Sequence, residues 1–169
     1  MNRRQYLQIA ASVGVINIYG CIGPLAQNEN AYDSRTDLGR ILPDDSLKGY
    51  RLEAEMERCD GQQCTRSLVR DFHITDSKSS GPREIRARAS TFETVQAASD
   101  RVNRTQDSDY GSGYTLTISG CDAAKWESDT AIHIAAHDSN LLLFTGLEWE
   151  SGPREDDHRF INRMLERLE

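Results

Sequence analysis

Cys59 and Cys64 bracket four residues, Asp60-Gly61-Gln62-Gln63. Two thiols at this spacing suit either a disulfide across a turn or half of a zinc site. Zinc wants four ligands, and no second pair stands near this Cys-x4-Cys. Opposed positions on antiparallel strands bring Cα atoms within disulfide range, so the spacing predicts a Cys59–Cys64 bridge. Cys121 is the second candidate partner for Cys64. With Cys21 set aside for the reason given below, one bridge and one free thiol are expected.

Asp71 and His73 lie two apart, and His133 and His137 share strand parity on another segment. Together they sketch a cross-strand metal cluster. Histidines in such patterns are more often surface or satisfied core groups, and the expectation is no metal. Gly111-Ser112-Gly113 lacks the strand–turn–helix setting of a nucleophile elbow. The sequence holds no metalloprotease helix motif and no phosphate loop. No catalytic residue and no cofactor is therefore assigned. Asn103-Arg104-Thr105 fits the N-glycosylation acceptor pattern. Trp126 and Trp149 are expected in the core.

Cys21 belongs to a different pattern. Arg3-Arg4 precedes Tyr6 and Leu7, and an apolar run from Leu7 to Tyr19 follows, diluted by Gln8, Ser12 and Asn17. A small residue and a cysteine, Gly20-Cys21, close it. A charged start, a short apolar stretch and a small residue read as an export signal. The run falls short of the roughly 20 apolar residues that span a bilayer. The paired arginines resemble the twin-arginine export signal of bacteria and archaea. Ile18-Tyr19-Gly20-Cys21 resembles a lipobox, which implies cleavage before Cys21 and lipid on its sulfur. The resulting division is a signal peptide over 1–20, a lipidated cysteine and flexible tether over 21–47, and a globular domain over 48–169. The implied location is the extracytoplasmic face of the cell membrane.

Composition agrees with that placement. The formal charge is −7, and loss of Arg3 and Arg4 with the signal leaves −9. Lysine occurs only at 48, 78 and 125; the other seventeen basic residues are arginine. An acidic, lysine-poor surface resembles that of halophilic archaeal proteins, whose carboxylate repulsion is screened by salt. Negative charge argues against nucleic acid as partner, because phosphates need a basic patch.

Hydrophobic patterning supplies the elements that must position these residues. Tyr50, Leu52, Ala54 and Met56 alternate with charged residues and predict a half-buried strand, all four facing one way. Arg66 to Thr75 returns as a second strand, and Glu84 to Ser90 adds a third with Ile85, Ala87 and Ala89 inward. Ser90-Thr91-Phe92-Glu93 has capping-box spacing, so a helix is expected to about Arg104. Tyr114, Leu116 and Ile118 form a short strand; 120–128 reads as irregular. Ala131–Ala136 and Leu141–Thr145 make a hairpin. A last helix runs from about Asp156 to Leu168 with Phe160, Ile161, Met164 and Leu165 on one face. The 24–47 stretch shows no period, apart from one short turn of helix near Asp37–Ile41. The expected class is α+β, an antiparallel sheet of about six strands with two helices on one face, in the order βββαβββα.

From Ile85 onward there is a strand, a helix of alanine and valine, a Gly120/Asp122/Ala123 step, a hairpin holding Asn140, and a closing helix. This cadence resembles small lipoproteins of halophilic archaea. Such families carry no assigned chemistry; the leading expectation is a non-catalytic exported domain that binds a protein, a glycan or a small molecule, or simply presents itself at the cell surface. A small extracytoplasmic hydrolase and an accessory subunit of a membrane complex are the alternatives.

Overall fold

A computed structural model describes residues 31–44, 47–59, 61–75, 81–104, 113–150 and 158–168. The elements are α1 (Leu38–Ile41), β1 (Tyr50–Glu57), β2 (Cys64–Ile74), β3 (Glu84–Phe92), α2 (Val95–Arg104), β4 (Gly113–Ile118), β5 (Cys121–Glu127), β6 (Ala131–Asp138), β7 (Leu141–Glu148) and α3 (Arg159–Glu166). The seven strands form one open sheet in the order β1-β2-β3-β7-β6-β5-β4. Every neighbouring pair is antiparallel. Two meanders thus meet at the β3–β7 seam. The α+β class is as expected. None of the described helices is long and apolar enough to cross a membrane.

The seventh strand is β5, which falls on the stretch expected to be irregular. Its residues Cys121, Ala123, Ala124, Lys125 and Trp126 are all buried, so both faces are covered and no alternation shows. A strand buried on both faces reads as a run, and Asp122 and Lys125 interrupt even that.

The helices lie on both faces, not one. Phe72, Ile85, Ala87, Ile134 and Leu143 form one face, where α1 and α3 contribute Leu38, Ile41, Phe160, Ile161, Met164 and Leu165. Residues of opposite parity, Ala124, Ala135 and Leu142, pack with Ala97, Ala98 and Val102 of α2. Each large side chain so buried contributes about 1.5–3 kcal/mol. Helix α2 also begins later than the capping-box spacing suggests. Ser90, Thr91 and Phe92 belong to β3, and Thr94 Oγ1 accepts the Ala97 amide at 3.1 Å, as an N-cap does. The outset of the last predicted helix, Asp156 and Asp157, lies outside the described residues.

The expected flexible tether over 21–47 also needs correction, because the chain is docked from Ala31 onward. The Asn140 side chain accepts the Tyr32 amide at 3.0 Å and donates to the carbonyls of Tyr32 and Phe92 at 2.8 Å each. Tyr32 Oη donates to Asp138 at 2.5 Å. Burial, then this hydrogen bond, raises the Tyr32 pKa well above its ordinary range. Leu38, Ile41, Leu42 and Leu47 then enter the main core. Arg70 holds the α1 end by donating to the Gly39 and Pro43 carbonyls at 3.0 and 2.9 Å. The globular unit therefore includes residues 31–44 and 47, which the expected division gave to the tether.

Candidate functional site

Helix α2 covers only one end of its face, and the other end carries a groove of about 550 Å³. That falls within the roughly 300–1,000 Å³ of small-ligand clefts. Strand register explains what lines it. Asp71 pairs with Arg86, Arg86 with Gly146, Gly146 with His133 and His133 with Trp126. These five residues make one row running across β2, β3, β7, β6 and β5. The next row begins with Met56 opposite Val69, continues to Arg88, and reaches Phe144 on β7.

Met56 reaches this face through a register slip in β1. Leu52 pairs with Phe72, but Ala54 pairs with Asp71, leaving Glu53 as an extra residue. An extra residue reverses the alternation beyond it. Tyr50 and Leu52 therefore face the main core, while Ala54 and Met56 face the groove. The expectation that all four point one way is corrected by this slip. Met56 is left 41% exposed.

Two groups dominate the electrostatics. Arg86 donates through Nε and Nη2 to the two oxygens of Asp71, at 2.8 and 3.0 Å. This fork holds the guanidinium in the groove and raises its already high pKa. His133 is packed between Trp126, at 4.7 Å between ring centroids, and Phe144, at 5.4 Å in an edge arrangement. Burial first, and Arg86 second, lower its pKa, so the imidazole is neutral at pH 7. Arg88 is held by the hydroxyls of Ser67 and Ser90 at 2.9 and 3.0 Å.

Gly146 sits between Arg86 and His133. Its φ is not positive, so the backbone does not demand glycine there. A Cβ at this position would lie 3.4 Å from Cδ2 and 3.5 Å from Nε2 of His133. The missing side chain leaves a notch at the centre of the row.

Of the residues singled out in the sequence, Asp71 and His133 line this groove. They are separated by three strand spacings, about 14 Å, and so do not share an ion or a proton. His73 faces the Glu84 carboxylate at 3.8 Å. His137 lies further along β6, with Nδ1 3.2 Å from the Ser139 carbonyl. No metal-competent group of three or more His, Cys, Asp or Glu occurs among the described residues. Asn103 is exposed in the last turn of α2, and Thr105 of its acceptor pattern lies outside the described residues. Sequence reasoning missed Arg86, Phe144 and Gly146 as site residues. The available signal was a glycine inside an otherwise apolar strand, which marks close backbone approach.

The Cys59–Cys64 disulfide is present as expected, with Cα atoms 5.7 Å apart. Cys121 is buried and disulfide-bonded, not the free thiol expected. Cys21, Arg3 and Arg4 lie outside the described residues. No family model, curated protein or solved structure matches the chain.

Proposed function

We propose that this is an exported protein, held at the extracytoplasmic face of the cell membrane by lipid on Cys21, whose groove binds a ligand without transforming it. The observation that carries the binding role is the Gly146 notch between Arg86 and His133. A central strand without a backbone need for glycine has a methyl-sized slot there, walled by the His133 and Phe144 rings at 3.4–3.5 Å, with Arg86 on the neighbouring strand. A non-catalytic role draws support from the same row: the Asp71 carboxylate is occupied by Arg86, and His133 is about 14 Å away.

Export draws support from Arg3-Arg4 and from the disulfides at Cys59, Cys64 and Cys121, since such bonds persist outside the cytosol. The anchor is a separate matter, because one sulfur cannot hold both a thioether lipid and a disulfide. Cell fractionation tests location, and a thermal-shift screen of a metabolite library tests the groove. Ligands that raise the midpoint of the wild type more than that of Gly146→Ala are expected. A protein recovered in the cytosol overturns export, and ligands that stabilise both proteins equally overturn the groove.

A further inference from the structure

We infer that the groove takes a neutral, polyhydroxylated ligand, a short glycan without ionised groups. This deepens the binding reading above and rests on it. The charges that line the groove nearly cancel, with Glu53, Asp71, Glu84 and Glu148 against Arg58, Arg86 and Arg88. Arg86 gives two of its donor edges to Asp71, and Glu84 and Glu148 stand in the neighbouring row. Arg88 is surrounded by the Ser67 and Ser90 hydroxyls and the Arg58 carbonyl, 3.3 Å from Nη2. His133 is a neutral imidazole, able to donate from one nitrogen and accept at the other.

An ion entering such a site loses hydration without meeting net opposite charge, which is costly. A hydroxyl differs, because it donates and accepts at once. It can accept from Arg86 or His133 while donating to Glu148. Vicinal hydroxyl pairs match the planar forks of guanidinium and carboxylate. The apolar side of a sugar ring then has Phe144, Val69 and Met56 to lie against. The notch at Gly146 lets one ring come down to the sheet between Arg86 and His133.

The test is isothermal titration of the full-length protein in a polyoxyethylene detergent, which contains no sugar. The neutral probes are maltotriose, cellotriose, mannotriose and triacetylchitotriose. The charged probes are trigalacturonate, deacetylated chitotriose and the zwitterion Ala-Phe-Ala. At least one neutral trisaccharide should bind, with affinity reduced tenfold or more by Gly146→Val and by Arg86→Met. Gly146→Ala, a smaller change, should weaken it by a lesser factor and guards against misfolding of the valine variant. Binding of a charged probe alone, lost in the Gly146 variants, would overturn the glycan and leave the groove reading standing. Trisaccharide binding unchanged by every groove variant would overturn both. Silence from all the neutral probes overturns the glycan, with the thermal-shift screen deciding the groove separately.

Discussion

Asp71 and Arg86 face each other across β2 and β3, and both carboxylate oxygens accept from the guanidinium, at 2.8 and 3.0 Å. The geometry is bidentate, but the Arg86 side chain is 61% exposed, so solvent screens the pair. Asp71→Ala should cost no more than about 1 kcal/mol in urea denaturation. Its larger effect should be on the groove, where the released guanidinium carries an uncompensated charge. Binding of trigalacturonate should therefore strengthen in Asp71→Ala relative to wild type. Equal binding by the two proteins would show that the pair does not set the charge of the site.

His133 gives a pH signature. Its folded pKa lies below the unfolded value of about 6.5. The unfolded chain therefore binds the proton more readily, and falling pH favours unfolding. The contribution is complete above about pH 6.5 and is lost as pH falls from there toward the folded pKa. Arg86 on β3 disfavours the imidazolium. Chemical denaturation at a series of pH values should show this slope in wild type and a flatter one in His133→Gln. Identical slopes would remove His133 as the titrating group.

Asn140 is 1% exposed and ties the Tyr32 backbone to the Phe92 carbonyl. Asn140→Ala leaves buried backbone groups without their partners, at a cost of about 3 kcal/mol. Limited proteolysis should then cut within 31–37 before the rest of the domain unfolds. Cutting at the same rate in both proteins would mean that the segment is held by the core leucines alone.

The Cys59–Cys64 bridge closes a small loop between β1 and β2. Its removal by a paired serine substitution should cost about 2 kcal/mol in the chain-entropy account. The thermal midpoint measures this, and an unchanged midpoint would mean that the hairpin is held without it.

The anchor makes a strict chemical prediction. Cys59 and Cys64 are joined to each other, and Cys121 is disulfide-bonded. Cys21 is the one other cysteine of the chain, so lipid on its sulfur and a disulfide from it to Cys121 exclude one another. Non-reducing mass spectrometry of the wild type should find the lipid mass on Cys21. Cys21→Ser should lose that mass, and Arg3→Lys with Arg4→Lys should keep the protein inside the cell. A Cys21–Cys121 peptide from the mature protein would exclude the thioether while leaving export intact.

Much of the fold was legible because one face of most strands is buried and the other is not. Ile85, Ala87 and Ala89 alternate with Arg86 and Arg88, and the hairpin over β6 and β7 follows from its apolar runs. Strand β5 was hidden because α2 on one side and the main core on the other bury both faces, leaving alanines with no visible period. The docking of 31–47 was hidden because it depends on Asn140, over a hundred residues away. The site was half legible. Asp71 and His133 stood out by chemistry, but the residues between them, Arg86 and Gly146, become neighbours only through the β3–β7 pairing. The slip at Glu53 carries no local sequence mark, and it alone turns Met56 into the groove.

The Tyr32–Asn140 clasp would set the length of the leash on the proposed anchor. With a lipid on Cys21, nine residues would separate the anchor from Ala31, ten Cα-to-Cα steps that fully extended reach about 34 Å. A chain free to residue 47 would have reached roughly 90 Å. The clasp lies at the β6–β7 turn, six residues along β7 from Gly146, which adds about 20 Å. The groove of an anchored molecule would then patrol a shell on the order of 50 Å deep above the lipid. It would meet what is attached to the same membrane far more often than what drifts in from the medium.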